Sequence, residues 1–426
     1  MEKHVNMPQL RFHEFNGEWT NSRLGNLFEL FNGYAFSSTD SLDKGIPWIK
    51  IADVGIQEMK RDNLSFLPEE FEEKYKKFLI NKGDFVIALT RPILNGKLKI
   101  AQADDFFNNS LLNQRVGKIV SINSHYFIFS LLQKATIINE IENSIAGTDP
   151  PNLSTNELKT IFVKIPTLSE QNKIASFFTA IDQKISQLKQ KKTLLEQYKK
   201  GIMQKIFSQE IRFKDGDGKE FPPWEKSKFG KIFTFRVTNS FSRDNLNYLG
   251  GNVKNIHYGD IHTKFRTLFD ITKEDVPFIN PDISLKGIRT DNYCMTNDIV
   301  FADASEDLAD VGKSIELVNL NNEKILAGLH TILARPDRTK IASGLGGYLM
   351  KSIGVRRQIM KTAQGSKITS ITSTRLCDIE LILPCPAEQT KIANFLSTID
   401  DKINHTHMQI EMAEVWKRGL LQRMFV

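Results

Sequence analysis

The chain has 426 residues, with 40% hydrophobic and 25% charged side chains, enough for two or three separately cored globules. A net charge of +7 and a pI near 9.0 suit a polyanionic partner. No apolar run approaches membrane-spanning length, the leading MEKHVNMPQLRF lacks the apolar centre of a signal peptide, and an odd count of three cysteines argues against a disulfide framework, so a reduced cytoplasmic location and no membrane are expected.

In chain order, the lead-in carries Arg11-Phe12, then Trp19, then Leu24-Gly25. The middle that follows, Phe31–Asn143, holds short β-rich runs at Pro47–Ile51, Asp84–Ala88 and Val116–Val120, and a helix is expected over Ser124–Glu142. Its Gly-bounded loops carry Tyr34, Lys50, Arg91, Asn95, Lys97, Gln114 and Arg115. Gly147-Thr148, Leu153, Leu158, Ile161 and Ile165 close this first part.

Pro166–Phe207 then reads as a rod. Ile174, Phe178, Ile181, Ile185 and Leu188 alternate at spacings of four and three, the rule for a coiled-coil seam, and Thr167-x-x-Glu170 is a capping box. About 38 residues at ~1.5 Å each make a rod roughly 57 Å long. After it, residues 209–223 are polar and rich in Gly and Pro, as a linker requires.

The same order then repeats. Arg212-Phe213, Trp224 and Phe229-Gly230 lead in; a second middle, Phe235–Met360, has β runs at Asp298–Ala302 and Thr331–Ala334; Gly365-Ser366, Ile371, Leu376, Ile379 and Leu383 close it. The loops here carry His257, Tyr258, His262, Lys264, Arg266, Lys313 and His330. Pro384–Phe425 is a second rod with its seam at Ile392, Leu396, Ile399, Ile403 and Ile410, and with Pro386 and Glu388 in its first turn. It aligns without a gap on Pro166–Phe207 at an offset of 218 residues, identical at 16 of 42 positions. Lys199 and Lys417 break the two seams at the same register. The surfaces differ: Glu170–Phe207 has eight Lys against three acidic residues, Glu388–Phe425 five basic and five acidic. A domain-sized unit is therefore written twice, too long a period for a solenoid. The expected domains are 1–165, a helix over 166–208, a linker over 209–223, a second domain over 224–383 and a helix over 384–426. Whether the rods run parallel or antiparallel does not follow from the repeat.

Three fragments look catalytic and fail on inspection. Asp149-Pro-Pro-Asn152 resembles the loop of amino-methyltransferases, but Asn152 stands where an aromatic must stack on a flipped base. Gly312-Lys313-Ser314 is half a P-loop, with Asp307 in place of the first glycine. His257, His262 and His330 match no zinc spacing. No nucleophile–base–acid set emerges, so no catalytic residue, metal or cofactor site is expected on this chain. What remains is recognition chemistry: Asn, Gln, Arg, Lys and His on loops, able to read base edges and neutralise phosphates.

The paired P-x-x-x-E-Q-x-K-I-A rods, the R-F…W lead-ins, Asn32-Gly-Tyr-Ala-Phe36, Gly45-Ile-Pro-Trp-Ile-Lys-Ile-Ala-Asp-Val54, Leu112-Asn-Gln-Arg-Val116 and Asn255-Ile-His-Tyr-Gly-Asp-Ile-His-Thr263 together resemble the specificity subunits of type I restriction–modification systems. The resemblance covers essentially the whole chain. It implies an α+β protein: two α/β target recognition domains joined by two long helices packed as an antiparallel coiled coil, with a pseudo-twofold duplication. Each domain would read one half of a bipartite site in double-stranded DNA. The helices would set the spacer and dock two modification (methyltransferase) subunits, to which restriction (translocase and nuclease) subunits are added. S-adenosylmethionine, ATP and Mg would sit on those partners, in a site-specific endonuclease and adenine methyltransferase complex. The competing reading is a protein scaffold on a coiled coil, without DNA sequence specificity; a fused restriction–methylation enzyme lacks the motifs it would need.

Overall fold

The computed structural model describes residues 7–145, 149–365 and 368–426; Gly147, Thr148 and Ser366, named above as closing residues of the two middles, lie outside them. By its internal contacts the chain divides into two units, Met1–Lys189 with Met408–Val426, and Gln190–His407. The rods are helices over Leu168–Phe207 and Pro386–Met424, and each contributes to both units. These units cut across the expected boundaries, because each rod end is cored with the globule it touches.

In the first unit the strand Thr20–Arg23 pairs with Phe162–Ile165, tying the lead-in to the closing strand. The main sheet orders Glu29–Asn32, Val116–Val120, Phe85–Ala88 and Ile100–Gln102, all antiparallel. Phe85–Ala88 is buried on both faces, as its unbroken apolar run requires. A second sheet orders Phe66–Leu67, Ile46–Ile49, Ser110–Leu112 and Leu79–Ile80, with Ile46–Ile49 and Ser110–Leu112 parallel. The expected helix over Ser124–Glu142 is two, His125–Leu131 and Ala135–Ile145. The turn at Gln133-Lys134 re-aims the chain so that both apolar faces, Phe127 to Leu132 and Ile137 to Ile145, reach one core.

The second unit repeats this plan. Glu225–Lys228 pairs with Glu380–Leu383. Its main sheet orders Phe233–Arg236, Thr331–Pro336, Ile299–Ala302, Ser314–Asn319 and Leu268–Asp270. The second sheet contains Phe278–Ile279 beside Lys254–Ile256, which runs parallel to Ile325–Ala327. The middles, so different in sequence, thus share the order of four main-sheet strands and a parallel pair in the second sheet; the second unit adds Leu268–Asp270 at one edge of its main sheet, parallel to Ser314–Asn319.

Within each unit the two rod segments run in opposite directions. In the first, Asp182 meets Lys417 at 2.6 Å while Lys189, further along, meets Glu414 at 2.9 Å. In the second, Lys199 meets Asp400 at 2.5 Å, and Ile206 shares a core with Ile392 and Leu396. Ile174, Phe178, Ile181, Ile185 and Leu188 are buried, as are Ile392, Leu396, Ile399 and Ile410; Ile403 is half-buried. The two lysines that interrupt the seams are the pairs' cations, and Asp182/Asp400, like Lys199/Lys417, stand 218 positions apart. A tyrosine hydroxyl completes each, Tyr126 on Asp182 and Tyr348 on Asp400.

The motif residues at the rod starts have matching duties. Glu170, 1% exposed, accepts two bonds from Arg11 at 2.7 Å and one from the Trp19 indole at 3.3 Å. Glu388, fully buried, accepts from Arg212 at 3.2 and 2.6 Å and from Trp224 at 3.0 Å. A buried carboxylate needs such a set of donors, and the bidentate guanidinium supplies the strongest part of it. The R-F…W lead-ins are therefore clamps on the rods.

Candidate nucleic-acid interface

In each unit the loops of interest leave the ends of the second sheet's parallel strand pair. In the first, Asn113 N–H donates to the Ile49 carbonyl at 3.0 Å, so the residues after both strands emerge side by side. Ile49 is followed by a tight turn in which Asp53, 1% exposed, accepts the Lys50 N–H at 2.7 Å. Burial pushes the Asp53 carboxyl up against the pull of that N–H and of Lys50 and Lys99. Lys99 donates to the Ile51 carbonyl, and burial together with Lys60 lowers its pKa. Lys50 rests 5.0 Å above the Trp48 ring and donates to Ser65.

The next ridge is made by Tyr34, Gln114 and Arg115. Tyr34 N–H donates to Leu112 at 2.8 Å, and Gln114 N–H donates to Tyr34 at 3.0 Å. Gly33 permits this approach, since a Cβ there would sit 2.0 Å from the Leu112 carbonyl. The Tyr34 ring is 40% exposed and leans on Phe36, Tyr75 and Phe78. The Arg115 side chain is exposed while its carbonyl is held by Leu89 N–H at 2.9 Å. Arg91, Asn95 and Lys97 lie apart from this ridge, on an excursion between Phe85–Ala88 and Ile100–Gln102. Asn95 and Gly96, both at positive φ, form the hairpin tip.

In the second unit His257 caps the helix Tyr258–Thr263, its Nδ1 accepting Gly259 N–H at 3.2 Å. The Arg243 guanidinium donates to the same Nδ1 at 3.1 Å and to both oxygens of Asp260 at 2.8 and 3.0 Å. Burial and the Arg243 charge push the His257 pKa down, so the ring is neutral with its proton on Nε2. His262 Nε2 donates to the Ala304 carbonyl at 3.1 Å, and Lys313 Nζ to the His262 carbonyl at 2.8 Å. His330 stands at φ 55° with Nδ1 3.3 Å from Asp303. The Tyr258 ring lies 4.6 Å from His257, 5.4 Å from His330 and 6.4 Å from His262. Lys264 joins through Asp260 at 3.4 Å; Arg266 does not, turning instead to Glu274 at 3.9 Å.

The two sites are built on one frame. Ala88 N–H donates to Lys99 in the first and Ala302 N–H to Lys313 in the second; Leu89 N–H donates to Arg115 and Asp303 N–H to His330. Lys50 and His257 each follow the first strand of the second sheet's parallel pair, and Asp53 and Asp260 each follow three residues later, both 1% exposed. Asp53, Lys99 and Arg243 escape a search for exposed loop residues. No sequence signal finds them: Lys50-Ile-Ala-Asp53 and His257-Tyr-Gly-Asp260 share only the aspartate, and the strand pairing is what brings them into register. Two of the three fragments that mimic catalytic motifs are occupied otherwise. Asn152 accepts from Thr90 at 2.6 Å and donates to Pro150 at 2.8 Å; the Asp307 carboxylate accepts Ala309 N–H at 2.8 Å. Among the described residues no group of three His, Cys, Asp or Glu could hold a metal, and no helix is long and apolar enough to cross a membrane.

The sequence matches the profile of the type I restriction modification DNA specificity domain twice, over residues 16–197 and 223–413. It is 30% identical over 216 residues to the MjaVIII type I restriction enzyme specificity subunit of Methanocaldococcus jannaschii, a match spanning 50% of this chain and about half, 51%, of that relative. It is 20% identical over 415 residues to the StySPI specificity subunit of Salmonella potsdam, covering 91% of this chain and 84% of that one. The fold is similar to the crystal structure of the type I restriction–modification S subunit from M. genitalium, with TM-score 0.58 and 15% identity over 99% of both chains.

Proposed function

This chain belongs to the type I restriction modification DNA specificity family, and on that premise we propose that it is the DNA-reading subunit of a restriction–modification complex. Each unit reads one half of a bipartite duplex site. The rods set the spacer between the halves and dock two methyltransferase subunits, which carry S-adenosylmethionine. Restriction subunits, with ATP and Mg, join that assembly. The chain does no bond chemistry of its own.

One observation carries this reading: a single frame built twice, with different polar side chains at matching positions. Lys50 stands where the second unit has His257 and Arg115 where it has His330, while Lys99 and Lys313 agree, as do the buried Asp53 and Asp260. A frame for one ligand would keep its side chains; a frame for two different half-sites keeps its backbone and changes its readers. Arg115 and the lysines offer donors to guanine edges and phosphates, and His257, whose Nδ1 is taken by Gly259 and Arg243, offers its Nε2 donor. A non-specific scaffold gives no reason for this pattern. To test it, the complex with its methyltransferase subunits is offered a duplex carrying the mapped methylated motif and a scrambled duplex, at moderate salt. Binding tighter by about a thousandfold or more to the motif is expected for a specific reader. Equal binding favours the scaffold.

A further inference from the structure

In the second unit an apolar side chain is held out into solvent where a reader of polar edges has no use for it. Leu249 is 100% exposed, and Tyr248 beside it 46%. Lone exposed hydrophobes are common on mobile loops, but this one is fixed. The strand Leu246–Asn247 at its base pairs with Phe278–Ile279. The Asn247 carboxamide accepts Leu249 N–H at 2.8 Å and Gly250 N–H at 3.0 Å, and donates to Asn280 at 2.8 Å. On the return, Gly251 passes so near the sheet that a Cβ would lie 2.8 Å from Phe278.

The loop is also wired to the reading site. Lys264 donates to the Tyr248 hydroxyl at 3.0 Å and lies 5.2 Å over its ring; the same ammonium is 3.4 Å from Asp260, which Arg243 grips bidentately. An apolar tip beside cations, rigidly attached to a polar reading surface, has the composition of a side chain that parts two base pairs while phosphates are neutralised around it. The cations argue for a polyanionic duplex, and against an apolar protein groove, as the occupant. We propose that Leu249 is a wedge inserted at a base step of the half-site read by the second unit, kinking the duplex there. The inference rests on the DNA reading proposed above.

Among the described residues of the first unit, the corresponding segment holds no such wedge. In the segment leading to the corresponding strand, Leu42 is 46% exposed and its backbone bridges Phe66 in both directions, at 2.9 and 3.2 Å. The kink is therefore confined to one half-site, and its base step is a flexible pyrimidine–purine step, which costs least to open.

The test uses the full complex on its cognate duplex, end-labelled for bending by energy transfer and carrying 2-aminopurine at successive steps of the second half-site. Wild type is expected to bend the duplex and brighten 2-aminopurine at one step. Leu249→Ser, which removes no internal contact, abolishes both signals and weakens binding about tenfold, while Leu249→Met keeps them. Lys264→Ala instead lowers the salt dependence of binding. Cognate binding and bending by Leu249→Ser equal to wild type overturn the wedge and leave the DNA reading standing. Loss of methyltransferase assembly in Leu249→Ser also overturns it, making the tip a protein contact. Absence of any sequence preference in wild type overturns the DNA reading and the wedge together.

Discussion

Glu316 lies fully buried in the second unit, accepting Gly344 N–H at 2.6 Å and Gly347 N–H at 2.7 Å. Burial outweighs those donors and pushes its pKa from 4.5 to about 7. A carboxyl whose folded pKa is raised binds its proton more tightly in the folded state, so stability is lost as pH rises from about 4.5 to about 7. At about 1.4 kcal/mol per unit, roughly 3 kcal/mol is at stake. Thermal unfolding of the full chain should fall between pH 5 and pH 8, and Glu316→Gln should flatten that fall; an unchanged slope would show that the buried carboxyl is not its source. At the reading sites, Arg115→Ala is expected to weaken recognition by about 1–3 kcal/mol and relax specificity in one half-site, and His330→Ala in the other. Methylation mapping of each variant checks this, and relaxation of the same half by both would refute it. Arg115, Lys313 and His330 were legible in the sequence because exposed polar residues beside glycines and strand ends invite attention. Lys99 and Asp53 were not, because one is an ordinary lysine in a β run and the other is buried, and only the strand pairing puts each beside the reading loops.

The rods' seams were legible as four–three spacing, and the lysines that spoil them looked like defects. In the structure each is the partner of an aspartate on the opposite rod. Lys417 is 4% exposed and touches Asp182 and, at 2.7 Å, Gln57. Removing one member leaves a desolvated charge, whereas apolar replacement of both removes the penalty with the attraction. Lys417→Met is expected to destabilise the first unit by about 2–3 kcal/mol, and Asp182→Leu combined with it to restore most of that loss. A double-mutant cycle by chemical denaturation measures the coupling, and strictly additive losses would mean that the pair is incidental. The opposed direction of the rods was not legible, since a repeat fits parallel and antiparallel helices equally well; it rests on which aspartate meets which lysine. The single helix expected over Ser124–Glu142 illustrates the converse limit. Nothing in Leu132–Lys134 breaks a helix by propensity, and the break follows from two apolar faces needing one core.

Duplication at the level of the whole molecule was plain from the rods and lead-ins, but not from the middles. Their strand order survives sequence divergence because burial of Phe85–Ala88 and Ile299–Ala302 constrains only apolarity, while the loops at the strand ends are free to change. Four residues added to each rod lengthen it by about 6 Å, and the unread spacer is expected to grow by one to two base pairs, read from the methylated motif. The central claim is that two readers act independently on one frame. The most direct measurement replaces residues 20–165 with those of a relative of different specificity and maps methylated sites across a genome. The account predicts a new sequence in one half of the site, with the other half unchanged. A change in both halves, or in neither, would contradict it.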